Sequence, residues 1–113
     1  MKIKHIVCDI CHKSNGIEFM IATSEGAIYV DIHGNIICNS GGNIDTLDEL
    51  IEYTKNYKNS NRFSERPQFL FSCSCVEDEC GATEVEFEDG TILKETNNFD
   101  LGERSFKKAF MGE

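Results

Sequence analysis

Apolar and polar side chains alternate from Ile17 to Thr23, with Ile17, Phe19 and Ile21 on one side. That period of two predicts a strand. Ser24-Glu25-Gly26 then predicts a turn, and Ala27-Ile28-Tyr29-Val30-Asp31-Ile32, rich in β-formers, a second strand. His33-Gly34-Asn35 turns again before a short third strand over Asn35–Cys38, so this part of the chain reads as a β-meander. After the loop Asn39-Ser40-Gly41-Gly42-Asn43 the period changes. Thr46-x-x-Glu49 has the form of a capping box, and Leu47, Leu50, Ile51, Thr54 and Tyr57 share one face at helical spacing. Acids gather at the start of this helix and Lys55 and Lys58 near its end, which suits the helix dipole.

Residues 59–66 are polar and read as a loop. Pro67 precedes a buried strand, Gln68-Phe69-Leu70-Phe71-Ser72. Glu84-Val85-Glu86-Phe87-Glu88 alternates strictly, Asp89-Gly90 predicts a two-residue hairpin turn, and Thr91–Lys94 returns. A short helix is expected around Arg104–Met111, with Phe106 and Phe110 four apart. No internal repeat is present. The expected class is α+β and β-rich: one domain over residues 1–113, built on an antiparallel sheet, with an inserted amphipathic helix and basic loop at about 44–67 and a C-terminal hairpin.

Charge narrows the function classes. Among 113 residues, 20 are acidic and 11 are Lys or Arg, a formal net charge of −9. Such a chain repels polyanions and anionic membranes. No run of about 18 apolar residues predicts a membrane span. Met1–Cys8 carries no long apolar stretch of secretory type. A cytoplasmic location is therefore expected, where thiols stay reduced.

That changes the reading of the six cysteines. Cys8 and Cys11 form a C-x-x-C pair, and Cys73, Cys75 and Cys80 a second group far downstream. Reduced thiolates in two short clusters are donors for a tetrahedral Zn²⁺. The expected ligands of one structural zinc are Cys8, Cys11 and Cys80, with either Cys73 or Cys75 as the fourth. Gly81 fits the positive φ that a metal-binding turn often demands. Cys38, isolated on a short apolar strand, reads as an ordinary buried core thiol.

Cys8-Asp9-Ile10-Cys11, the strand Ala27–Asp31 with its Gly34-Asn35 turn, and Phe71-Ser72-Cys73-Ser74-Cys75 through Cys80-Gly81-Ala82 resemble small zinc-ribbon proteins, many of them encoded by bacteria and their phages. The resemblance covers about the first 40 residues and the stretch around 69–82. It implies a zinc-ribbon-like sheet with each cysteine cluster at a hairpin tip. The family's second cluster is normally C-x-x-C, whereas here Cys73-x-Cys75 is followed by four residues and then Cys80.

Other cysteine chemistries fit less well. Cys8-Asp9-Ile10-Cys11-His12 matches the c-type haem string, but haem attachment needs export and helical surroundings. A rubredoxin-like iron site needs two regular C-x-x-C loops. A thioredoxin-like dithiol should open a helix, and here Gly16 and a strand follow.

Catalysis finds no support in the residues. His5, His12 and His33 are scattered, and no P-loop, nucleophile elbow or H-E-x-x-H string occurs. Four cysteine ligands would leave zinc no open position for substrate. Charge instead points to binding surfaces. Glu77, Asp78, Glu79, Glu84, Glu86, Glu88 and Asp89 form an acidic stretch without a basic residue. Lys55, Tyr57, Lys58, Arg62, Phe63 and Arg66 form a basic-aromatic one.

Two function classes follow. In the first, the acidic stretch docks on the basic surface of a nucleic-acid-handling protein. Small acidic proteins that resemble phage products often act against host nucleic-acid machinery such as CRISPR effectors, which by analogy implies an inhibitor of host defence. In the second, the basic-aromatic stretch stacks bases on Tyr57 or Phe63 and holds phosphates with Arg62 and Arg66. The net negative charge opposes this second reading. The competing structural roles are a solvated strand face for the acids and packing of the helix by Tyr53 and Tyr57.

Overall fold

The computed structural model describes residues 1–8, 17–23, 26–39, 44–57, 65–72, 82–95 and 98–112. Their elements run β1 (Ile3–Cys8), β2 (Glu18–Thr23), β3 (Gly26–Val30), β4 (Ile36–Asn39), α1 (Leu47–Asn56), β5 (Gln68–Ser72), β6 (Ala82–Phe87), β7 (Ile92–Lys94) and α2 (Asn98–Phe110). The class is α+β and β-rich, with the inserted amphipathic helix and the C-terminal hairpin in their expected places. The strands divide between two antiparallel sheets, one ordered β1-β6-β7 and the other β4-β3-β2-β5.

In the four-stranded sheet the alternation read from the sequence sets the buried face. Phe19 lies opposite Val30 and Phe71, and Ile21 opposite Ile28 and Phe69. All six are buried. In the smaller sheet Ile3, Ile6, Cys8, Ala82, Val85 and Phe87 are buried. β1 is an element that alternation does not reveal. Between Ile3 and His5 the register slips by one residue, so Ile3 faces Phe87 and His5 faces Glu86. An extra residue of this kind is a β-bulge, and it turns both Ile3 and Ile6 inward although they are three apart.

The β6–β7 connection also departs from expectation. The Phe87 N–H donates to the Thr91 carbonyl, and Gly90 takes φ +92°. The loop is therefore three residues, Glu88-Asp89-Gly90, rather than two. A left-handed glycine in the last position is what such a loop requires. Asp89 closes it, accepting from the Thr91 N–H and hydroxyl at 3.0 and 2.9 Å.

Helix α1 begins as its cap predicts, with the Thr46 hydroxyl accepting from the Glu49 N–H at 3.2 Å. It buries Leu50 and Tyr53, and the Tyr53 hydroxyl donates to the Glu65 carbonyl. Helix α2 is longer than the expected 104–111 helix. Its buried Phe106 lies within 5.5 Å of the Phe19 ring and 5.1 Å of both Phe69 and Phe110, centroid to centroid. Its Gly102 sits directly on the backbone of β5, where a Cβ would come within 2.9 Å of the Phe69 carbonyl oxygen. α2 thus lies against β5, an outer strand of its sheet whose free side would otherwise template aggregation.

Gly102→Ala is expected to destabilise by about 1–3 kcal/mol through overpacking. In an open helix the same change would stabilise by about 1 kcal/mol. The shift of the urea midpoint gives the sign, and a stabilised variant would contradict the close approach.

The β3–β4 turn adds a pH-dependent contribution. Asp31 Oδ1 accepts from the His33 and Asn35 N–H groups at 2.9 and 2.8 Å, and Oδ2 from the Asn35 side-chain amide at 3.0 Å. Burial pushes the Asp31 carboxyl up, but the hydrogen bonds from Asn35 and His33 and the His33 charge outweigh it and hold it below its ordinary value. A carboxyl depressed in the folded state stabilises above its unfolded pKa, about 3.9, and loses that contribution as pH falls through the folded value. Asp31→Asn is therefore expected to lower the denaturation midpoint at pH 7. The difference should shrink below about pH 4, and a constant difference down to pH 2 would rule this out.

Candidate functional site

The cysteine corner is built by strand pairing. Cys8 ends β1, is fully buried and faces Ala82, the first residue of β6. Glu18, the first residue of β2, faces Ser72, the last of β5. Residues 9–16 run from Cys8 to the start of β2, and residues 73–81 from Ser72 to Ala82. Both connections thus join the same end of the β1–β6 pair to the same end of the β2–β5 pair. Cys11 lies in the first connection and Cys73, Cys75 and Cys80 in the second. All four are outside the described residues, as are Glu77, Asp78 and Glu79. Covalent connectivity keeps Cys73 next to Ser72 and Cys80 two residues from Ala82.

Among the described residues no three His, Cys, Asp or Glu side chains cluster as metal ligands. The donor chemistry lies in the flanks: a buried thiol at the end of one strand, with four more thiols on two chain segments that share both anchor points. Thiols are the donor type that a thiophilic tetrahedral ion takes. Cys38 is a correction. It is exposed rather than buried, because β4 is the outer strand of its sheet and its register slips between Tyr29 and Val30.

The acidic hairpin is less negative than its sequence. Glu84 faces Lys94 across β6–β7, and the two side chains pair at 3.3 Å. Glu86 pairs with Lys4 of β1 at 3.5 Å. Asp89 is occupied in closing its turn, where the hydrogen bonds from Thr91 hold its carboxyl below the ordinary range. Glu88 remains exposed. Exposed ion pairs of this kind contribute at most about 1 kcal/mol each, yet they cancel charge on the strand face. Lys4 and Lys94 were not part of the sequence-read surface. Mirror symmetry about the Glu88–Gly90 loop was the signal that could have placed Lys94 opposite Glu84.

Of the basic-aromatic residues, Lys58, Arg62 and Phe63 lie outside the described residues. Lys55 is exposed on α1. Tyr57 and Arg66 come together at a cleft of about 410 Å³ between α1, the start of β5 and α2. Glu103 and Lys107 of α2 complete it, neither of them evident from sequence as site residues. The Arg66 guanidinium is held above its usual pKa by its hydrogen bond to Glu103 and by that carboxylate's charge.

No protein-family model, curated protein or solved structure matches the chain. Among the described residues no helix is long and apolar enough to cross a membrane.

Proposed function

We propose that the chain is a non-catalytic interaction protein. Its cysteine corner would hold one structural zinc and present acidic residues to the basic surface of a nucleic-acid-handling protein, in the manner of a phage inhibitor of host defence. The observation that carries this reading is the double pairing of Cys8 with Ala82 and of Glu18 with Ser72, which tethers both cysteine segments to one corner. Zinc bound by Cys8, Cys11, Cys80 and one of Cys73 or Cys75 would carry net negative charge. Glu77, Asp78 and Glu79 lie in the same connection. Because Lys4 and Lys94 offset Glu86 and Glu84, the acids of this stretch that remain for docking are Glu77, Asp78, Glu79, Glu88 and Asp89. Complementary charge would speed encounter and let the protein compete with nucleic acid for the partner's groove.

The test is capture of a nucleic-acid-binding protein from bacterial lysate by the immobilised chain, with an oligonucleotide as competitor. Glu77→Lys, Asp78→Lys and Glu79→Lys together should reduce capture at least about tenfold, since reversing rim charges acts on steering and affinity. The native complex should be displaced by the oligonucleotide. Undiminished capture by the triple variant would remove the acidic run from the docking surface.

A further inference from the structure

The cleft beside α2 carries a second inference, independent of the cysteine corner. Its walls are Thr54 of α1 and Tyr57 just after that helix, Arg66, Pro67 and Phe69 around the start of β5, and Glu103 and Lys107 of α2. Two cations converge on a single acceptor here: Arg66 Nη2 lies 2.5 Å and Lys107 Nζ 3.5 Å from the same oxygen, Glu103 Oε1. Glu103 thus faces two cations, with the Asp100 carboxylate also acting on Arg66 from the start of α2. The Glu103 side chain is partly exposed and its partner Arg66 largely so, and ion pairs open to water contribute little, so a competing anion can displace the carboxylate. A phosphate suits the pair better. It offers several oxygens and up to two charges to a planar guanidinium fork and an ammonium.

The rest of the lining is Thr54, Pro67 and two aromatic residues, Tyr57 and the buried Phe69. A base stacks on such a face without regard to its identity. The volume, about 410 Å³, falls in the range of small-molecule sites. Lys107 also borders a neighbouring cleft of about 340 Å³ between α2 and β7, where Lys108 adds positive charge and Arg104 is paired with Glu95.

We propose that this cleft binds a nucleotide, with its phosphate between Arg66 and Lys107 in place of the Glu103 carboxylate and its base against Tyr57. The nucleotide is either free or one unit of a single strand, and the two share this chemistry. Glu103 then acts as an internal competitor for the phosphate. That gives the site a signature: removing an acid strengthens binding, and removing a cation weakens it.

The experiment follows backbone amide resonances of the full chain at low salt during titration with AMP, inorganic phosphate and an oligothymidylate separately. AMP is expected to shift Thr54, Tyr57 and Lys107. Glu103→Gln should tighten AMP binding about tenfold, and Arg66→Gln and Lys107→Gln should each weaken it about tenfold, the scale of a charge-assisted hydrogen bond. Equal affinity for AMP and the oligothymidylate supports a free nucleotide. Much tighter binding of the oligothymidylate, with shifts reaching Arg104 and Lys108, supports a strand. Absence of shifts with every ligand at millimolar concentration overturns the proposal. So does phosphate binding as tightly as AMP, or Glu103→Gln failing to strengthen binding in a folded variant.

Discussion

Phe106→Ala should destabilise the protein by about 3–5 kcal/mol, the range for emptying a fully buried phenylalanine site. Phe106 is inaccessible to solvent and touches three other rings, edge-on to Phe19 and tilted against Phe69, with Phe110 one turn further along α2. Aromatic pairs of this geometry add about 0.5–1.5 kcal/mol beyond area burial. The loss falls on the contact that seats α2 on the four-stranded sheet. The same helix reaches the smaller sheet, where the Lys108 ammonium lies 5.4 Å from the centre of the Phe87 ring. A domain of this kind is stable by about 5–15 kcal/mol in all, so the variant should be partly or wholly unfolded at 37 °C. Ile37→Ala is the control: Ile37 is 53% exposed, and its truncation should change stability by less than about 0.5 kcal/mol. Urea denaturation of both variants measures the contrast. Equal effects would mean that α2 is not seated through Phe106.

Removal of the proposed zinc should have the larger effect. Structural zinc in comparable small sites binds with about 10–16 kcal/mol of apparent free energy. That matches or exceeds the total stability of an ordinary domain. The two sheets are joined at the cysteine end by residues 9–16 and 73–81. Cross-linking these segments through one proposed ion would restrain both sheets together. Addition of a strong chelator to the reduced protein is expected to abolish the cooperative thermal transition, and one equivalent of zinc should restore it. A transition unchanged by chelation would leave the hydrophobic core alone to account for the fold.

Much of this fold was legible because one periodicity at a time governed each element. The Phe19/Ile21 alternation and the Thr46 cap each state a local rule that tertiary packing then obeyed, and Gly90 marked the place of the β6–β7 turn though not its length. β1 was not legible, since its bulge puts Ile3 and Ile6 on one face against the period of two. Cys38 misled for a related reason. An apolar run reads as buried unless the strand order is known, and β4 proves to be an outer strand. The start of α2 lay outside the Phe106/Phe110 spacing that marked the helix, and Gly102, a weak helix former, is the residue on which β5 closely approaches.

The sites divide in the same way. The two cysteine clusters were visible as clusters, but their shared anchorage depends on the Cys8–Ala82 and Glu18–Ser72 pairings, which no local pattern encodes. The cleft was half visible. Tyr57 and Arg66 stood out as a basic-aromatic stretch, whereas Glu103 and Lys107 enter from a helix far along the chain. Counting acids from Glu77 to Asp89 overstated the negative face, because Lys4 and Lys94 come from neighbouring strands.

The central claim is that one corner of the fold is organised around a metal held by cysteine thiolates. Elemental analysis of the protein purified under reducing conditions, alongside the Cys8→Ser, Cys80→Ser double variant, tests it most directly. The expected result is about one zinc per native chain and none in the variant, with cobalt substitution giving the absorption of a tetrahedral thiolate site. A native protein that is folded and carries no metal would contradict the claim.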